Sequence, residues 1–207
     1  MSRDHGLAPD PAGGNVRGGL VPVARGLQAL GVTPNAVTVA GFAATLAAAA
    51  LLVTSGPVVA LVPLAIGAAA DAVDGTLARL TRRDTPFGNF LDSTLDRVSD
   101  AAPFVAAALI ATREAEQTTV LLALWAIVVS FLVSYTRAKA ESLGLAAAVG
   151  VAPREVRIVL LIVGIALWAA TAERAFFTYA IALTALLATL TVAQRVAHVA
   201  GQRSPNP

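Results

Sequence analysis

The residues best suited to chemistry are four aspartates between positions 71 and 96. Asp71 and Asp74 are three residues apart, and Asp92 and Asp96 are four apart, so each pair would share one face of a helix. If two antiparallel helices join near residue 83, residues whose numbers have the same sum lie at equal depth. Asp71 would then face Asp96, and Asp74 would face Asp92. The spacing predicts two facing pairs of carboxylates.

Four carboxylates in apolar surroundings repel one another and resist ionisation. Divalent cations remove both difficulties, and oxygen ligands in a chain without cysteine favour Mg²⁺ or Mn²⁺. Two such ions bridged by carboxylates form a site suited to phosphoryl transfer. Gly75, Ala78 and Gly88 remove side-chain bulk nearby and leave space for a ligand. The alternative is a set of structural ion pairs with Arg79, Arg97 and their neighbours, which the excess of acidic residues disfavours.

The elements that must carry these aspartates are membrane helices. The chain has 207 residues, of which 57% are hydrophobic and only 14% charged, and its mean hydropathy is +0.72. A bilayer core requires about 20 helical residues. Thr33 can cap the first segment with Pro34 at the first helical position. We predict an all-α integral membrane protein with six transmembrane helices, at residues 36–54, 57–80, 87–111, 118–141, 154–172 and 175–198.

The two ends of the chain differ from this apolar body. Residues 1–15 are rich in proline and glycine without an apolar run, which is typical of a disordered tail and not of a signal peptide. Residues 16–31 have apolar side chains at helical spacing, with arginines between them. They predict a short amphipathic helix that lies in the membrane interface, or one that packs on the bundle. The membrane domain would span residues 16–200, and residues 201–207 would form a disordered C-terminal tail.

The basic residues predict the orientation of the helices. With six spans, thirteen of the fifteen lysines and arginines lie on the side of both termini, whereas Arg113 and Arg174 alone lie on the other side. This bias predicts an inner-membrane protein with both termini, and the aspartates, on the cytoplasmic side. Nucleic-acid binding is disfavoured, because the formal net charge is only +2 and the basic residues flank apolar segments.

Written as a pattern, the acidic stretch is Asp71-x2-Asp74-Gly75-x2-Ala78-Arg79-x8-Gly88-x3-Asp92-x3-Asp96. It resembles, at every fixed position and gap, the signature of the CDP-alcohol phosphotransferase family, also called CDP-alcohol phosphatidyltransferases. The resemblance implies a six-helix membrane enzyme, usually dimeric. Such an enzyme moves the phosphatidyl group of CDP-diacylglycerol to an alcohol and releases CMP.

The resemblance also assigns roles to residues of the signature. The four aspartates would hold divalent metal, and Asp96 would be the general base that deprotonates the acceptor hydroxyl. The CDP-lipid would meet the first part of the signature, which comprises Asp71, Asp74, Gly75, Ala78 and Arg79.

Outside the signature, the chain is most similar to one branch, the actinobacterial-type phosphatidylinositol phosphate synthases. The segments PVARGLQALGVTPNAVT and SYTRAKAESLGL carry this resemblance, together with Arg154 and Arg157. The branch uses inositol phosphate as acceptor in a basic pocket, and the matching positions here are Ser134, Arg137, Arg157 and Arg195. The chain departs from the pattern of this branch at two places. Position 137 is arginine where the branch has lysine, and Glu155 and Val156, between the two arginines of APREVR, differ from the residues of the branch. Arginine and lysine bind phosphate with different geometry.

The placement of these residues supports an anionic acceptor independently. Ser134 and Arg137 end the fourth predicted span, Arg157 begins the fifth and Arg195 ends the sixth, so all reach the level of the aspartates. Arginine forks at that level suit a phosphate, although interfacial arginines that only support topology are the alternative. Glycerol 3-phosphate is also a phosphorylated alcohol, so a phosphatidylglycerophosphate synthase is the nearest rival.

Two other protein classes use acidic residues within membranes. Intramembrane prenyltransferases bind diphosphates through aspartate-rich motifs, but those motifs lie far apart in the chain. Transporters line a path with ionisable residues, yet residues 57–70 and 101–111 contain none. Both classes are disfavoured.

Overall fold

The computed structural model describes residues 13–81 and 85–202, and all regular structure in these ranges is helical. Residues 1–12 and 203–207 of the predicted tails lie outside the described residues, as does the predicted turn at residue 83. The first helix begins three residues before its predicted start. The helices are α1 (Gly13–Ala29), α2 (Pro34–Thr54), α3 (Pro57–Thr81), α4 (Pro86–Arg113), α5 (Gln117–Ser142), α6 (Arg154–Thr171) and α7 (Ala175–Ala200).

Threonine followed by proline begins two of the helices. The Thr33 hydroxyl accepts a hydrogen bond from the Ala36 amide at 3.3 Å, and the Thr85 hydroxyl accepts one from the Gly88 amide at 3.0 Å. Each cap satisfies an amide that has no partner within the helix. The predicted cap at Thr33 is confirmed, and α4, which carries Asp92 and Asp96, begins in the same way.

Four helices are long and apolar enough to cross a bilayer, namely α2, α3, α5 and α7. The other two long helices carry charge in their first turns or soon after. Helix α4 has four charged residues between Asp92 and Asp100 and a fifth, Arg113, at its end. In α6 the charged residues are Arg154, Glu155 and Arg157. Charged side chains within a bilayer are costly, and α4 and α6 accordingly lack the composition of an ordinary membrane span.

Helix α2 packs against both helices that carry the aspartates, α3 and α4. Helix α5 packs against α4 and α7, and α6 packs against α7 and α3. Within the described ranges, α3 and α4 share no extensive interface. The two helices that carry the aspartates are therefore held mainly by their other neighbours.

Helix α1 packs on the bundle. Ala24 is fully buried in a small cluster with Val37 of α2 and Val73 and Leu77 of α3. The same helix exposes the apolar side chain of Val23, at 52% exposure. Both predicted roles for this helix are therefore compatible with its contacts: one face packs on α3, and another remains available to the membrane interface.

Glycines permit the close approach of α2 and α3. A Cβ atom added at Gly41 would lie 2.6 Å from the Ala70 Cβ atom. One added at Gly67 would lie 3.1 Å from the Gly41 carbonyl oxygen and would collide with the Thr45 hydroxyl. Small residues at such crossings let helix backbones meet closely in membranes.

Gly67→Ala is expected to lower the free energy of unfolding by about 1–3 kcal/mol, the usual cost of overpacking. The Gly41 carbonyl cannot swing aside, so the two helices must separate. A thermal melt in detergent, followed by tryptophan fluorescence, measures the shift. Gly26→Ala in α1 is the matched control, because an added Cβ atom there meets nothing within 4 Å. Equal melting temperatures for the two variants would contradict the assigned crossing.

Candidate active site

Three carboxylates meet where the second half of α3 approaches the first half of α4. One oxygen from each of Asp71, Asp92 and Asp96 lies within 4.8 Å of the others. All three side chains are half-buried. Carboxylate oxygens at this separation are the ligands that Mg²⁺ and Mn²⁺ prefer, so the donors fit a divalent cation. Three of the four predicted metal-linked residues are thus brought together.

Asp74, the fourth, lies outside this cluster and is buried. Its Oδ2 atom accepts a hydrogen bond of 2.8 Å from the Thr38 hydroxyl, and its Oδ1 atom accepts one of 2.5 Å from the Gly75 amide. Thr38 belongs to α2, which packs against both α3 and α4. The cluster therefore contains the predicted pair of Asp71 and Asp96. Asp92, which was predicted to face Asp74, lies beside Asp71 in the cluster.

Arg154, at the start of α6, joins the carboxylates of two other helices. Its Nη1 atom lies 2.6 Å from Asp71, its Nη2 atom 2.8 Å from Asp96, and its Nε atom 2.9 Å from Asp100. Each guanidinium nitrogen therefore faces a different aspartate. Charge-assisted contacts of this kind are stronger than neutral ones. Ion pairs with aspartates do exist among the described residues, but they are made by Arg154 and Arg157 of α6 and not by Arg79 or Arg97.

The sequence interpretation did not include Arg154 or Asp100 among the site residues. Asp100 follows Asp96 by four residues and continues the series that begins at Asp92, so helical periodicity alone could have included it. The sequence did not distinguish Arg154 from the several other arginines that lie at helix ends. Only the packing of α6 on α3 identifies it as the one that reaches the aspartates.

Arg157 and Arg195 are both buried, with exposures of 3% and 5%. Arg157 donates to Asp100 Oδ2 at 2.9 Å and to the Ala152 carbonyl at 3.2 Å. Arg195 donates to the carbonyl oxygens of Val133 and Val149. It therefore links α7 to α5 and to the segment before α6. Buried guanidinium groups are costly unless they are paired and hydrogen-bonded, so these two are rare features of the bundle.

The other two predicted acceptor residues lie at the end of α5. Ser134 is half-buried and follows Val133, which accepts the Arg195 hydrogen bond. Arg137 is exposed and pairs with Glu141 at 2.8 Å. The four predicted residues thus come from the ends of α5, α6 and α7, and Arg157 is the one linked to the aspartate region through Asp100.

The residues predicted to meet the CDP-lipid continue along α3. Arg79 is exposed and donates to the Thr76 hydroxyl at 3.3 Å. A Cβ atom added at Gly75 would lie 3.6 Å from Arg79, so Gly75 leaves space beneath this guanidinium, and Ala78 is half-buried beside it. Packing explains the glycine at position 88, because a Cβ atom there would lie 3.0 Å from Asn35 and from Thr85.

A cavity between α2, α3, α4 and α6 opens beside the carboxylates. Its charged lining includes Asp71, Asp96 and Arg154, whereas most of its remaining wall is apolar and includes Phe42 and Phe104. With a divalent cation on its carboxylates, a cavity of this kind matches a ligand that has an anionic head and a hydrocarbon tail. The site therefore combines cation-binding carboxylates with a lipid-compatible surface.

Comparison with known proteins agrees with this geometry. The family model of the CDP-alcohol phosphatidyltransferases matches residues 31–194. An archaetidylinositol phosphate synthase from Pyrococcus horikoshii is 39% identical over 142 residues, which are 68% of this chain and 73% of the relative.

Solved structures of Mycobacterium tuberculosis phosphatidylinositol phosphate synthase have the same fold. The structure with CDP-DAG bound is 30% identical, with a TM-score of 0.81 over 90% of this chain and 95% of that chain. The structure in complex with manganese and citrate is 29% identical, with a TM-score of 0.82 over 90% of each chain.

Proposed function

This chain belongs to the CDP-alcohol phosphatidyltransferase family, and we propose that it transfers the phosphatidyl group of CDP-diacylglycerol to inositol phosphate. The products are phosphatidylinositol phosphate and CMP. The observation that carries the proposal is the cluster of Asp71, Asp92 and Asp96, of which Asp71 and Asp96 line a cavity with a largely apolar wall. The neighbours from Pyrococcus horikoshii and Mycobacterium tuberculosis are both named for inositol phosphate products, on different lipids.

A divalent metal belongs to this function, since one neighbour was solved with manganese and the carboxylate cluster suits such an ion. Asp71, Asp92 and Asp96 would hold it, and Asp74 is the fourth metal-linked carboxylate of the proposal. Two ions, either Mg²⁺ or Mn²⁺, match four carboxylates in charge. A bound ion would neutralise the diphosphate of the donor and polarise the phosphorus that is attacked.

Asp96 acts as the general base in this proposal. Its Oδ1 atom is engaged by Arg154, so its second oxygen remains to accept the proton of the acceptor hydroxyl. The acceptor oxygen then forms a bond to the phosphatidyl phosphorus, and the bond from that phosphorus to the CMP oxygen breaks. CMP departs as the phosphate anion, while the proton stays on Asp96. A positioned base of this kind contributes about 10²–10⁴ to the rate.

The donor binds along α3. Asp71, Asp74, Gly75, Ala78 and Arg79 are the residues proposed to meet the CDP-lipid. The exposed Arg79 guanidinium supplies positive charge beyond the carboxylates, and the lack of a side chain at Gly75 leaves room beneath it. The apolar wall of the cavity continues towards Leu64 and Leu161, where hydrocarbon is favoured over water.

The acceptor phosphate binds to Ser134, Arg137, Arg157 and Arg195 in this proposal. Arg157 is the member linked to the aspartates through Asp100, which supports an acceptor whose hydroxyl reaches Asp96. Guanidinium groups bind phosphate through paired N–H donors. A free alcohol such as serine would need fewer basic residues.

We further propose the membrane arrangement that accompanies this activity. In it, α2 to α7 cross the membrane, α1 lies in the interface, and residues 16–200 form one domain. The membrane is the inner membrane, and both termini and the site face the cytoplasm, as the distribution of basic residues indicates. The enzyme acts as a homodimer.

An acceptor panel tests the proposed function. Purified protein with labelled CDP-diacylglycerol and Mn²⁺ is expected to release CMP with inositol phosphate, and at a rate at least about tenfold lower with glycerol 3-phosphate, free inositol or serine. Tenfold corresponds to a difference of about 1.4 kcal/mol, within the value of one hydrogen bond to a charged group. Chromatography of the labelled lipid identifies the product.

Each alternative has its own outcome in this panel. Turnover with glycerol 3-phosphate alone would overturn the acceptor and identify a phosphatidylglycerophosphate synthase. No release of CMP with any acceptor, together with cleavage or transfer of a prenyl diphosphate, would overturn the reaction itself. Omission of the divalent cation is expected to abolish turnover in every active reaction.

A further inference from the structure

Asp100 has an unusual position, because it is an aspartate that pairs with two arginines from another helix. It lies in α4, one turn after Asp96, and its side chain is 9% exposed. Its Oδ1 atom is 2.9 Å from Arg154 Nε, and its Oδ2 atom is 2.9 Å from Arg157 Nη2. Both oxygens are therefore occupied by arginines, and the carboxylate is not a member of the three-aspartate cluster.

Arg157 depends on Asp100 more than Arg154 does. In the described part of the chain, the only salt bridge of Arg157 is the one to Asp100, and its other hydrogen bond is to the Ala152 carbonyl. Arg154 also pairs with Asp71 and Asp96. A buried guanidinium takes its orientation from its charged partner, so loss of Asp100 would release Arg157 and leave Arg154 with two of its three partners.

We propose that Asp100 is a positioning residue for the acceptor, because it orients the Arg157 guanidinium towards the acceptor phosphate. Asp100 also contacts Arg154, which pairs with Asp71 and Asp96. Through this contact it fixes the position of the Arg157 guanidinium relative to those two carboxylates. This inference rests on the proposed function, in which Arg157 binds the acceptor phosphate. One rigid carboxylate thereby sets the distance between the phosphate-binding group and the base. Displacements of about 1 Å in such a pair are costly to catalysis.

Asp100→Asn tests the inference, since it retains the shape of the side chain and removes its charge. The KM for inositol phosphate is expected to rise about tenfold or more, as for loss of a hydrogen bond between charged groups. The KM for CDP-diacylglycerol and the affinity for Mn²⁺, measured by electron paramagnetic resonance without substrates, are expected to change by less than about threefold. A merely structural role would change all three values together, and that result would overturn the inference.

A double-mutant cycle with Arg157→Ala distinguishes action through Arg157 from a separate effect. If Asp100 acts by orienting Arg157, Asp100→Asn adds little to the acceptor KM of Arg157→Ala, because coupled residues are not additive. Additive effects would overturn the inference. Should Asp100→Asn fail to fold, Asp100→Glu retains the charge but displaces the guanidinium, and an unchanged acceptor KM in that variant would also overturn it.

Glu116→Gln is the matched control for the loss of an acid in an interhelical ion pair. Glu116 lies between α4 and α5, at the opposite end of the bundle, and pairs with Arg174. The acceptor KM is expected to be unchanged in this variant. Failure of the proposed function has a separate signature, because wild-type protein would then show no turnover with inositol phosphate. If wild-type protein uses inositol phosphate and Asp100→Asn has the same KM, only the positioning role fails.

Discussion

Asp96→Asn is expected to lower kcat by about 10³-fold while the protein still binds CDP-diacylglycerol. Asparagine has the shape of aspartate but cannot take a proton from the acceptor hydroxyl, and loss of a general base costs about 10²–10⁴ in rate. Arg154 retains its contacts with Asp71 and Asp100, so the three helices remain connected. Steady-state turnover with both substrates saturating measures the loss, and equilibrium binding of labelled CDP-lipid measures what remains.

Glu155→Gln is the matched control for this experiment. Glu155 is the exposed neighbour of Arg154 and has the same charge as Asp96, without a contact to the carboxylate cluster. Its neutralisation is expected to leave kcat within about twofold, since exposed charges contribute little to their surroundings. Turnover of Asp96→Asn at the rate of this control would remove Asp96 as the base. Loss of CDP-lipid binding would instead make it chiefly a metal ligand.

Asp71→Asn is expected to weaken Mn²⁺ binding by about 100-fold or more. Groups that only support a metal ligand cost about 10–100-fold in affinity when they are lost, and Asp71 contributes a ligand oxygen to the cluster itself. The substitution also removes a negative charge that partly neutralises the nearby Arg154 guanidinium, and the remaining positive charge repels the cation. Titration of Mn²⁺ followed by electron paramagnetic resonance, without lipid or acceptor, measures the affinity directly.

Asp74→Asn provides the comparison, because Asp74 has the same spacing in the signature but lies outside the cluster. Its carboxylate is held by Thr38 and by the Gly75 amide, so the loss of Mn²⁺ affinity is expected to be smaller than for Asp71→Asn. Equal losses would mean that the two aspartates contribute equally, as in the symmetric pairs that the spacing predicted. No loss in Asp71→Asn would remove the cluster as a metal site.

Local patterns were sufficient to predict the helices. The six apolar segments coincide with α2 to α7 to within two residues at each end, because apolar length, threonine caps and prolines act within one segment. The four aspartates were found for the same reason, since three- and four-residue spacings determine which side chains share a helix face. The family signature, which is also local, identified the CDP-linked donor.

Contacts between distant segments were beyond such patterns. The spacing did not predict that α3 and α4 would lack an extensive interface, and that α2 would instead contact both. That packing depends on the surfaces of three helices, including the close approach of α2 and α3 at Gly41 and Gly67. The apolar periodicity of a single segment is compatible with several packing arrangements, so it cannot select one of them. As a result Asp74 bonds to Thr38 and lies outside the cluster.

The arginines show most clearly what local sequence patterns predicted and what only the packing of the helices determined. Their positions at helix ends predicted that they would lie near the level of the aspartates, because helix length determines depth in a membrane. Which arginine reaches which aspartate depends on how the helices rotate and approach. Only the folded bundle brings Arg154 to three carboxylates and Arg157 to Asp100, because ion-pair geometry is set by distances of a few ångströms between residues more than fifty positions apart in the chain.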